Sequence, residues 1–380
     1  MELIATCLFG LEKQLGEEID ALGCRRLFTM DGRVAFEGKP ADVARANVFL
    51  RLAERVFIRL GSFHAESFTE LFDGVRALPL EDYIGPSDAF PVKGHAIRSR
   101  LFSVPDCQRI IKKAAADRLM AGHGVRTLPE DGTLYQLEFF LFKDEATLML
   151  DTTGQTLHKR GYRPAAGIAP LRETLAASLA LTARLRPDDL LWDPFCGSGT
   201  IVIEAALQKR RIAPGLSRRF AAMDFDFLPA GIFARAEEEA KSLENHEKFE
   251  ILGSDIDPAV LKLAAENAAR ARVADTVRFF RADARQIKKP APDRRGTVIC
   301  NPPYGERMSN ESEVEALYRD LGRAFRALSP WQIYLLTSHP HFETLYGRRA
   351  DRTKRLYNGM IPCTLYEFYK PEGARGFSKK

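Results

Sequence analysis

Four consecutive residues near position 300 have the types needed to activate an aromatic amine. Asn301-Pro302-Pro303-Tyr304 follows the apolar run Thr297–Cys300, which is typical of a buried strand. The exocyclic amine of a purine is a poor nucleophile because its lone pair is delocalised into the ring. The Asn301 side-chain oxygen and the Pro302 carbonyl can accept its two hydrogens and hold the lone pair toward a methyl donor. Pro303 stiffens the turn, and Tyr304 can stack on the base. A rigid proline turn without catalytic role is the alternative.

An earlier loop has the composition of a cofactor-binding turn. Asp193-Pro194-Phe195-Cys196-Gly197-Ser198-Gly199-Thr200 lies between the apolar strand Leu190–Trp192 and the helical run Ile201–Leu207. Glycines at such a turn allow tight curvature and close approach of a ligand to backbone N–H groups. The loop lacks both the full dinucleotide pattern and the P-loop lysine, which disfavours phosphate binding. The Asp193 carboxylate can instead accept hydrogen bonds from the ammonium group of an amino-acid moiety. A plain glycine-rich turn, with Asp193 as a helix cap, is the alternative.

A second acid follows the next predicted strand. Asp255 and Ile256 come directly after Phe249–Ser254, where a carboxylate can bind both hydroxyls of a ribose. The acid of the dinucleotide pattern comes about 20 residues after the glycines. Asp255 comes 56 residues after Gly199, so we predict an insertion, most of it within 209–248.

A third acid, Asp283, precedes Ala284 after the predicted strand Val277–Arg281. It can accept a hydrogen bond from an adenine amino group, although alone it fits an ordinary helix cap equally well. Its order relative to the other two acids favours the ligand interpretation.

The elements that must position these residues change character along the chain. Residues 1–60 have a βαββαβ-like rhythm that predicts a small α+β domain, and residues 61–157 form a second α+β domain. A basic connector is expected at 158–169. From 170 to 380, strands alternate with helical runs, which predicts a doubly wound parallel sheet. Asn358–Gly359 predicts a hairpin and therefore an antiparallel last strand.

The composition narrows the class of protein. The 380 residues carry a net charge of +5, with 45% hydrophobic and 28% charged residues, which is typical of a globular protein. The six cysteines form no C-x-x-C pair and have no histidines at ligand spacing, so no metal site is expected. The N-terminus is not a signal peptide, and no apolar run approaches the ~20 residues of a membrane span. We expect a cytoplasmic protein that is monomeric and has no membrane partner.

Basic residues suggest where a nucleic acid would bind, since contacts to phosphates dominate such affinity. A predicted helix and the connector carry the candidates Arg109, Lys112, Lys113, Lys159, Arg160 and Arg163. A third basic cluster lies beside the predicted hairpin and could hold RNA from which the target base is extruded, although a solvated loop fits as well. Its members are Arg348, Arg349, Arg352, Lys354 and Arg355.

Together these segments resemble the THUMP-domain class I RNA guanine-N2 methyltransferases, and within them the bacterial enzymes that modify large-subunit ribosomal RNA. The resemblance is strong over 155–380 and weaker over 1–154. It implies a ferredoxin-like start, a THUMP domain and a Rossmann-like methyltransferase domain. It further implies that Asp193, the Gly197 and Gly199 loop, Asp255 and Asp283 bind S-adenosylmethionine.

Four alternatives remain open at this point. The substrate could be guanine in tRNA, adenine in DNA or a protein glutamine, since the same catalytic loop serves all these amines. A non-catalytic RNA-binding module with a relic fold is the fourth. The N-terminal half disfavours the DNA and protein substrates, and the intact loops at 193–200 and 301–304 disfavour a relic.

Overall fold

The computed structural model describes residues 1–163, 171–183, 189–247, 249–291, 293–304 and 311–370. These residues divide into two units. Unit 1 contains Met1–Cys7, Leu15–Leu157 and Gly215–Ala240, and unit 2 contains Leu8–Gln14, His158–Pro214 and Lys241–Lys380. The connector predicted at 158–169 lies only partly within the described residues.

Unit 1 is an α+β structure around one sheet, as the sequence predicts. Its strands are β1 (Glu2–Cys7), β2 (Arg25–Met30), β3 (Arg33–Glu37), β4 (Ala53–His64), β5 (Val92–Ile97), β6 (Leu137–Phe142) and β7 (Glu145–Asp151). Its helices are α1 (Glu12–Ala21), whose first turn belongs to unit 2, α2 (Pro40–Phe49), α3 (Phe68–Arg76) and α4 (Val104–His123). The seven strands are ordered β2-β3-β1-β4-β7-β6-β5. Only the β5–β6 pair is parallel among these described strands.

Strand β4 joins the two predicted N-terminal domains into this single sheet. Its first residues pair with β1, and Phe57–His64 pair with β7. The strand therefore runs across the boundary predicted at residue 60. Because β4 pairs with β1 on one edge and with β7 on the other, the two predicted domains share one sheet. Residue 60 is therefore not the end of a sheet. The four domain bounds remain predictions.

The predicted insertion divides between the units. Gly215–Ala240 belongs to unit 1, although it lies within the sequence range assigned to the C-terminal domain. The N–H of Gly215 donates to the Val48 carbonyl at 3.0 Å, and Phe225 stacks on Tyr135 with ring centroids 4.4 Å apart. These contacts lie far apart in sequence, which is why the sequence did not reveal them.

Unit 2 contains the doubly wound sheet. Its strands are β8 (Leu190–Asp193), β9 (Ile251–Asp255), β10 (Val277–Arg281), β11 (Gly296–Cys300), β12 (Gln332–Thr337), β13 (Arg352–Asn358) and β14 (Ile361–Phe368). The later helices are α5 (Glu173–Thr182), α6 (Thr200–Lys209), α7 (Ile232–Ser242, which is mostly in unit 1), α8 (Pro258–Arg270), α9 (Glu311–Arg326) and α10 (Phe342–Tyr346).

The order of this sheet, β10-β9-β8-β11-β12-β14-β13, confirms the predicted fold class. The first five strands are parallel, and β14 runs antiparallel to both β12 and β13. A core that includes Trp192, Tyr318 and Phe342 holds α9 and α10 against the sheet. The carboxyl ends of the parallel strands therefore lie along one edge, where ligands of such sheets bind.

Two observations concern membranes and metals. Within the described part of the chain, no helix combines the length and the apolar character needed to cross a bilayer. Among the same residues, no group of three or more His, Cys, Asp or Glu is placed to hold a metal ion.

Candidate active site

A cleft of about 750 Å³ opens at the carboxyl ends of the parallel strands. A smaller pocket of about 80 Å³ lies next to it, and Phe195, Gly197 and Asn301 line both cavities. Between them, the two cavities are lined by most of the residues predicted from the sequence: Asp193, Pro194, Phe195, Cys196, Gly197, Ser198, Thr200, Asp255, Ile256, Asp283, Ala284, Asn301 and Pro303. Of the predicted cofactor and catalytic residues, Gly199, Pro302 and Tyr304 line neither cavity.

The two glycines of the loop after β8 have different tasks. Both have positive φ, 49° at Gly197 and 84° at Gly199, a region that favours glycine. A Cβ on Gly197 would meet nothing within 4 Å, so its backbone faces open space at the cleft. A Cβ on Gly199 would lie 3.2 Å from both Ala264 and Phe279. Gly197 therefore leaves room for a ligand, whereas Gly199 allows α6 to begin close to its neighbours.

Asp193 is a buried carboxyl group whose negative charge is poorly stabilised by its surroundings. It is 1% exposed, and its Oδ1 accepts a hydrogen bond from the Phe195 N–H at 3.0 Å. Burial raises the pKa of Asp193 to about 8; the Phe195 N–H opposes this and the charge of Asp255 adds to it. A buried carboxylate of this kind is stabilised by a cation, so it fits the ammonium group of an amino-acid ligand.

The raised pKa of Asp193 makes the stability of the cofactor-free protein depend on pH. Because the folded protein holds this proton more tightly than the unfolded chain, the contribution of Asp193 to stability is greatest below about pH 4 and is lost as the pH rises toward about 8. Asn cannot ionise, so we expect Asp193→Asn to melt at a similar temperature at pH 4.5 and at a higher temperature at pH 8. Calorimetry without cofactor measures this, with Asp257→Asn as the control because Asp257 is an exposed helix cap that Asn can replace. A pH-independent difference would contradict the assignment.

Asp255 ties the glycine loop to the neighbouring strand. Its carboxylate accepts hydrogen bonds from the Gly197 N–H at 3.0 Å and the Asp257 N–H at 3.1 Å. Asp257 itself accepts from the Ala259 N–H at 2.8 Å and caps α8. Asp255 is partly exposed at the cleft, so it keeps acceptor capacity for ribose hydroxyls.

Asp283 is placed at the cleft but is already paired. It accepts from the Arg285 N–H at 2.9 Å and forms an ion pair with the Arg285 guanidinium at 2.6 Å. The hydrogen bond from Arg285 and its charge lower the pKa of Asp283. An adenine amino group would share this carboxylate with Arg285, and the adenine-binding role remains a prediction.

The Asn301 side chain has an acceptor that no group in the described part of the chain satisfies. Its side chain lies on both cavities and is 9% exposed, and its Oδ1 is buried without a hydrogen-bond partner among the described residues. A buried polar atom left unpaired costs about 1–3 kcal/mol, which a substrate hydrogen would recover. The position therefore fits an acceptor for a substrate N–H.

The catalytic loop is held from behind by Tyr318, which the sequence did not single out. Its hydroxyl donates to the Pro303 carbonyl at 3.2 Å and shares a 2.8 Å hydrogen bond with the Thr337 hydroxyl. Tyr318 lies on α9, within an ordinary helical pattern. Nothing in its spacing marks it as different from other buried aromatic residues.

Removal of this hydroxyl should slow catalysis without weakening cofactor binding. We expect Tyr318→Phe to lower kcat roughly fivefold while the Kd for S-adenosylmethionine stays within about twofold, because one hydrogen bond of about 1 kcal/mol positions the loop. Tyr334→Phe is the matched control: it removes a buried hydroxyl that donates to Gln332 at 3.1 Å. Equal losses of thermal stability and kcat in both variants would show that Tyr318 supports only the fold.

Tyr304 is more enclosed than the sequence suggested. It is 4% exposed, and its hydroxyl accepts a hydrogen bond from Asn358 Nδ2 at 3.1 Å and lies 3.5 Å from Cys363 Sγ. Its ring must be uncovered before a base can stack on it. The stacking role remains a prediction.

The predicted RNA-binding cations of unit 1 already contact acidic or aromatic side chains of the protein. Arg109 pairs with Asp106 at 2.7 Å and remains exposed. Lys112 pairs with Glu130 and sits 3.3 Å above the Phe90 ring, and Lys113 lies 5.9 Å from the Phe72 ring. Arg109 and Lys113 are exposed, whereas Lys112 is partly buried.

Two cations of the connector are buried within unit 2 instead. Arg160 Nε lies 3.6 Å from the buried Glu204, and Arg163 pairs with Glu173 at 2.7 Å. Arg163 also donates to the Thr200 hydroxyl at 3.0 Å, at the first residue of α6. Lys159 is exposed. Arg160 and Arg163 therefore neutralise two buried acids, Glu204 in α6 and Glu173 in α5, and their predicted contact with RNA has no support in these positions.

The fold and the cleft define a class I methyltransferase, and comparison with known proteins gives the family. A family model described as an RMKL-like methyltransferase domain matches residues 160–367. Models of the RlmL ferredoxin-like domain and the THUMP domain match residues 2–57 and 65–151. The chain belongs to the RMKL-like methyltransferases. This membership confirms the predicted domain types, and S-adenosylmethionine as the methyl donor.

Individual relatives cover nearly the whole chain. The putative RNA methyltransferase YpsC of Bacillus subtilis (strain 168) is 39% identical over 372 residues, 97% of this chain and 95% of that protein. A structure from Listeria monocytogenes str. 4b F2365, described as "a predicted N6-adenine-specific DNA methylase", is 42% identical with a TM-score of 0.91 and covers 97% and 96% of the two chains. SMU.472, described as "a putative methyltransferase complexed with SAH", is 37% identical with a TM-score of 0.91 and covers 97% of both chains.

Proposed function

We propose that this protein transfers a methyl group from S-adenosylmethionine to the exocyclic N2 amine of a guanine in RNA, with large-subunit ribosomal RNA as the substrate. The observation that carries the proposal is the buried Oδ1 of Asn301, which lines the cofactor cleft and has no hydrogen-bond partner among the residues that the structure describes. An acceptor in this place fits an N–H donor that arrives beside a methyl donor.

The cleft fits S-adenosylmethionine along its length. Asp193 would receive the ammonium group, Asp255 the ribose hydroxyls, and Asp283 with the backbone of Ala284 the adenine. Gly197 leaves its Cβ space open for the ligand. When bound, the cofactor supplies an electrophilic methyl group on a sulfonium.

The residues of this chain prepare the amine. Asn301 Oδ1 and the Pro302 carbonyl would accept its two hydrogens, which draws the nitrogen lone pair out of conjugation and aims it at the methyl group. Tyr318 holds the adjacent Pro303 carbonyl, so the loop is fixed before the substrate arrives. The reaction needs no separate general base, because the methylated nitrogen becomes acidic and its proton can leave to solvent.

RNA as the substrate class is supported by the THUMP match, by the name of YpsC and by the family resemblance of the sequence. The ribosomal target is supported by the resemblance of the sequence to the bacterial enzymes that modify large-subunit ribosomal RNA. In unit 1, the exposed Arg109 would contact phosphates, with Lys112 and Lys113 beside it and Lys159 in the connector. We place the reaction in the cytoplasm and the active form as a monomer.

Adenine is the second candidate acceptor, since its amine has the same two hydrogens. The observation in its favour is the Listeria relative, which is described as a DNA adenine methylase. Guanine in tRNA is a further variant of the same reaction. The three substrates can be told apart by their products. Adenine gives a different methylated nucleoside from guanine, and the two guanine substrates give the same nucleoside in different RNAs.

Nucleoside mass spectrometry of a deletion strain separates these outcomes. We expect N2-methylguanosine to decrease in large-subunit ribosomal RNA and to return when the gene is restored, but not when the Asn301→Ala gene is restored. A decrease of N2-methylguanosine confined to tRNA would make tRNA the substrate instead of ribosomal RNA. A decrease of N6-methyladenine in DNA would replace the proposal with the second candidate.

A further inference from the structure

We propose that the tip of the β13–β14 hairpin is an apolar wedge that enters RNA and fills the space left when the target guanine swings into the cleft. The tip consists of Gly359, Met360 and Ile361. This inference rests on the proposed function and assigns the surface that would open the RNA.

The tip exposes apolar side chains that the fold does not use. Met360 is 95% exposed and Ile361 is 49% exposed. Phe9, at 54% exposure, meets the Tyr357 ring edge-on at 5.9 Å on the opposite face of the hairpin, so the tip surface itself consists of Met360 and Ile361. Adjacent apolar side chains left in water mark a surface that another molecule covers, whereas scattered ones do not.

The turn itself holds Met360 outward. Asn358 and Ile361 are paired across the two strands, so Gly359 and Met360 are the two residues of the turn. Gly359 has a φ of 65°, and a positive φ at the first turn residue is the pattern of a tight hairpin that continues the strand twist. A short turn of this kind is a stiff support for a side chain that must enter a base stack.

The tip is joined to the catalytic loop. Asn358 Nδ2 donates to the Tyr304 hydroxyl at 3.1 Å, and Cys363 Sγ on the opposite strand lies 3.5 Å from the same hydroxyl. Two residues of chain, at most about 7 Å, separate Met360 from Asn358. Contact of the tip with RNA is therefore within a few nucleotides of the base that reaches Asn301, and displacement of Asn358 by RNA would release Tyr304.

The charge around the tip selects nucleic acid. The segment 352–362 contains three basic residues and no acid. Arg355 is exposed, and its guanidinium lies 5.9 Å from the Tyr357 ring; Arg352, at the far end of β13 from the tip, is exposed but lies 3.9 Å from Glu367. Cations beside an apolar tip match phosphates beside a base stack. Inserted Met, Ile or Phe side chains unstack bases in this way in proteins that deform nucleic acids.

The test compares two forms of one substrate, using S-adenosylmethionine and an unmodified ribosomal RNA transcript. One form is the folded transcript, and the other is a short single-stranded oligonucleotide with the same sequence around the target guanine. We expect Met360→Ala to lower kcat/KM on the folded transcript roughly 10- to 100-fold, because the base stack is no longer filled after extrusion. On the single-stranded oligonucleotide the loss should stay below about threefold, since little stacking is broken there. Met360→Phe should retain activity on both.

Leu243→Ala is the matched control, because Leu243 is an exposed apolar residue of the same unit, at 46% exposure, outside the hairpin. Equal losses of Met360→Ala on both RNA forms, or no loss, would overturn the wedge. A loss seen only on ribosomal particles and not on the protein-free transcript would assign the tip to a protein contact and also overturn it. If the wild-type protein methylates no RNA, the proposed function itself fails, and that result is visible before any variant is compared.

Discussion

We expect Asn301→Ala to lose methyl transfer almost completely while it still binds S-adenosylmethionine. The Oδ1 of Asn301 is the buried, unpaired acceptor at the cleft, and its role is toward the amine that reacts. Removal of one group that stabilises a transition state typically lowers kcat by roughly 10²- to 10³-fold. Turnover on RNA and calorimetric titration of the cofactor together measure both parts of this prediction.

Two variants make this result specific. Asn301→Asp places a carboxylate oxygen where the amide oxygen was. An acceptor therefore remains, and this variant should retain more activity than Asn301→Ala. Asn245→Ala removes an amide that donates to the Lys209 carbonyl at 2.9 Å, and should leave turnover unchanged. If Asn301→Ala turned over RNA as the wild type does, Asn301 would not be the acceptor for the substrate amine. If it lost cofactor affinity as well as turnover, Asn301 would be a cofactor ligand instead.

We expect the second large effect from Asp255→Ala, on cofactor affinity. The carboxylate orders the glycine loop through the Gly197 N–H and faces the cleft where a ribose would lie. The loss of a hydrogen bond to a charged group costs about 1.5–3 kcal/mol, or roughly 10- to 150-fold in Kd. Calorimetric titration with S-adenosylmethionine and with its demethylated product measures this loss.

The conservative change separates the two tasks of Asp255. Asp255→Asn keeps an oxygen that can accept from the Gly197 N–H, but it loses the negative charge and half of its acceptors. We expect its affinity to lie between those of the wild type and Asp255→Ala. Asp275→Asn, whose carboxylate is 73% exposed and pairs with Arg210 away from the cleft, should bind as the wild type does. Unchanged affinity in Asp255→Ala would exclude Asp255 from the cofactor site.

The site could be predicted because its residues come directly after strands. Asp193 and Asp255 end β8 and β9, and Asn301 follows β11 by one residue. The alternation of strands and helices indicates a parallel sheet, and the carboxyl ends of parallel strands share one edge. Local spacing together with this rule is enough to bring these residues to one cleft.

Other features depend on contacts that spacing does not encode. Tyr318 acts through a carbonyl 15 positions away, and Asn358 through a hydroxyl 54 positions away. Arg160 and Arg163 look like surface cations in the sequence, but the acids that they neutralise, Glu204 and Glu173, lie elsewhere in the chain. A basic stretch predicts an RNA contact only where its charges are not already paired.

One strand of the predicted βαββαβ pattern could not be located in the sequence for a related reason. β2 (Arg25–Met30) is an edge strand whose residues are mostly exposed, so it shows no apolar alternation. Its position is set by pairing with β3, which is a tertiary contact.

The most direct test of the central claim follows the methyl group itself. Purified protein is incubated with S-adenosylmethionine that carries a deuterated methyl group and with RNA from the deletion strain, and the digested nucleosides are separated by mass spectrometry. Our account predicts deuterated N2-methylguanosine in the large-subunit ribosomal RNA, and none when Asn301→Ala replaces the wild type. Label in adenosine, or in tRNA alone, with none in the guanosine of the large-subunit ribosomal RNA, would contradict it.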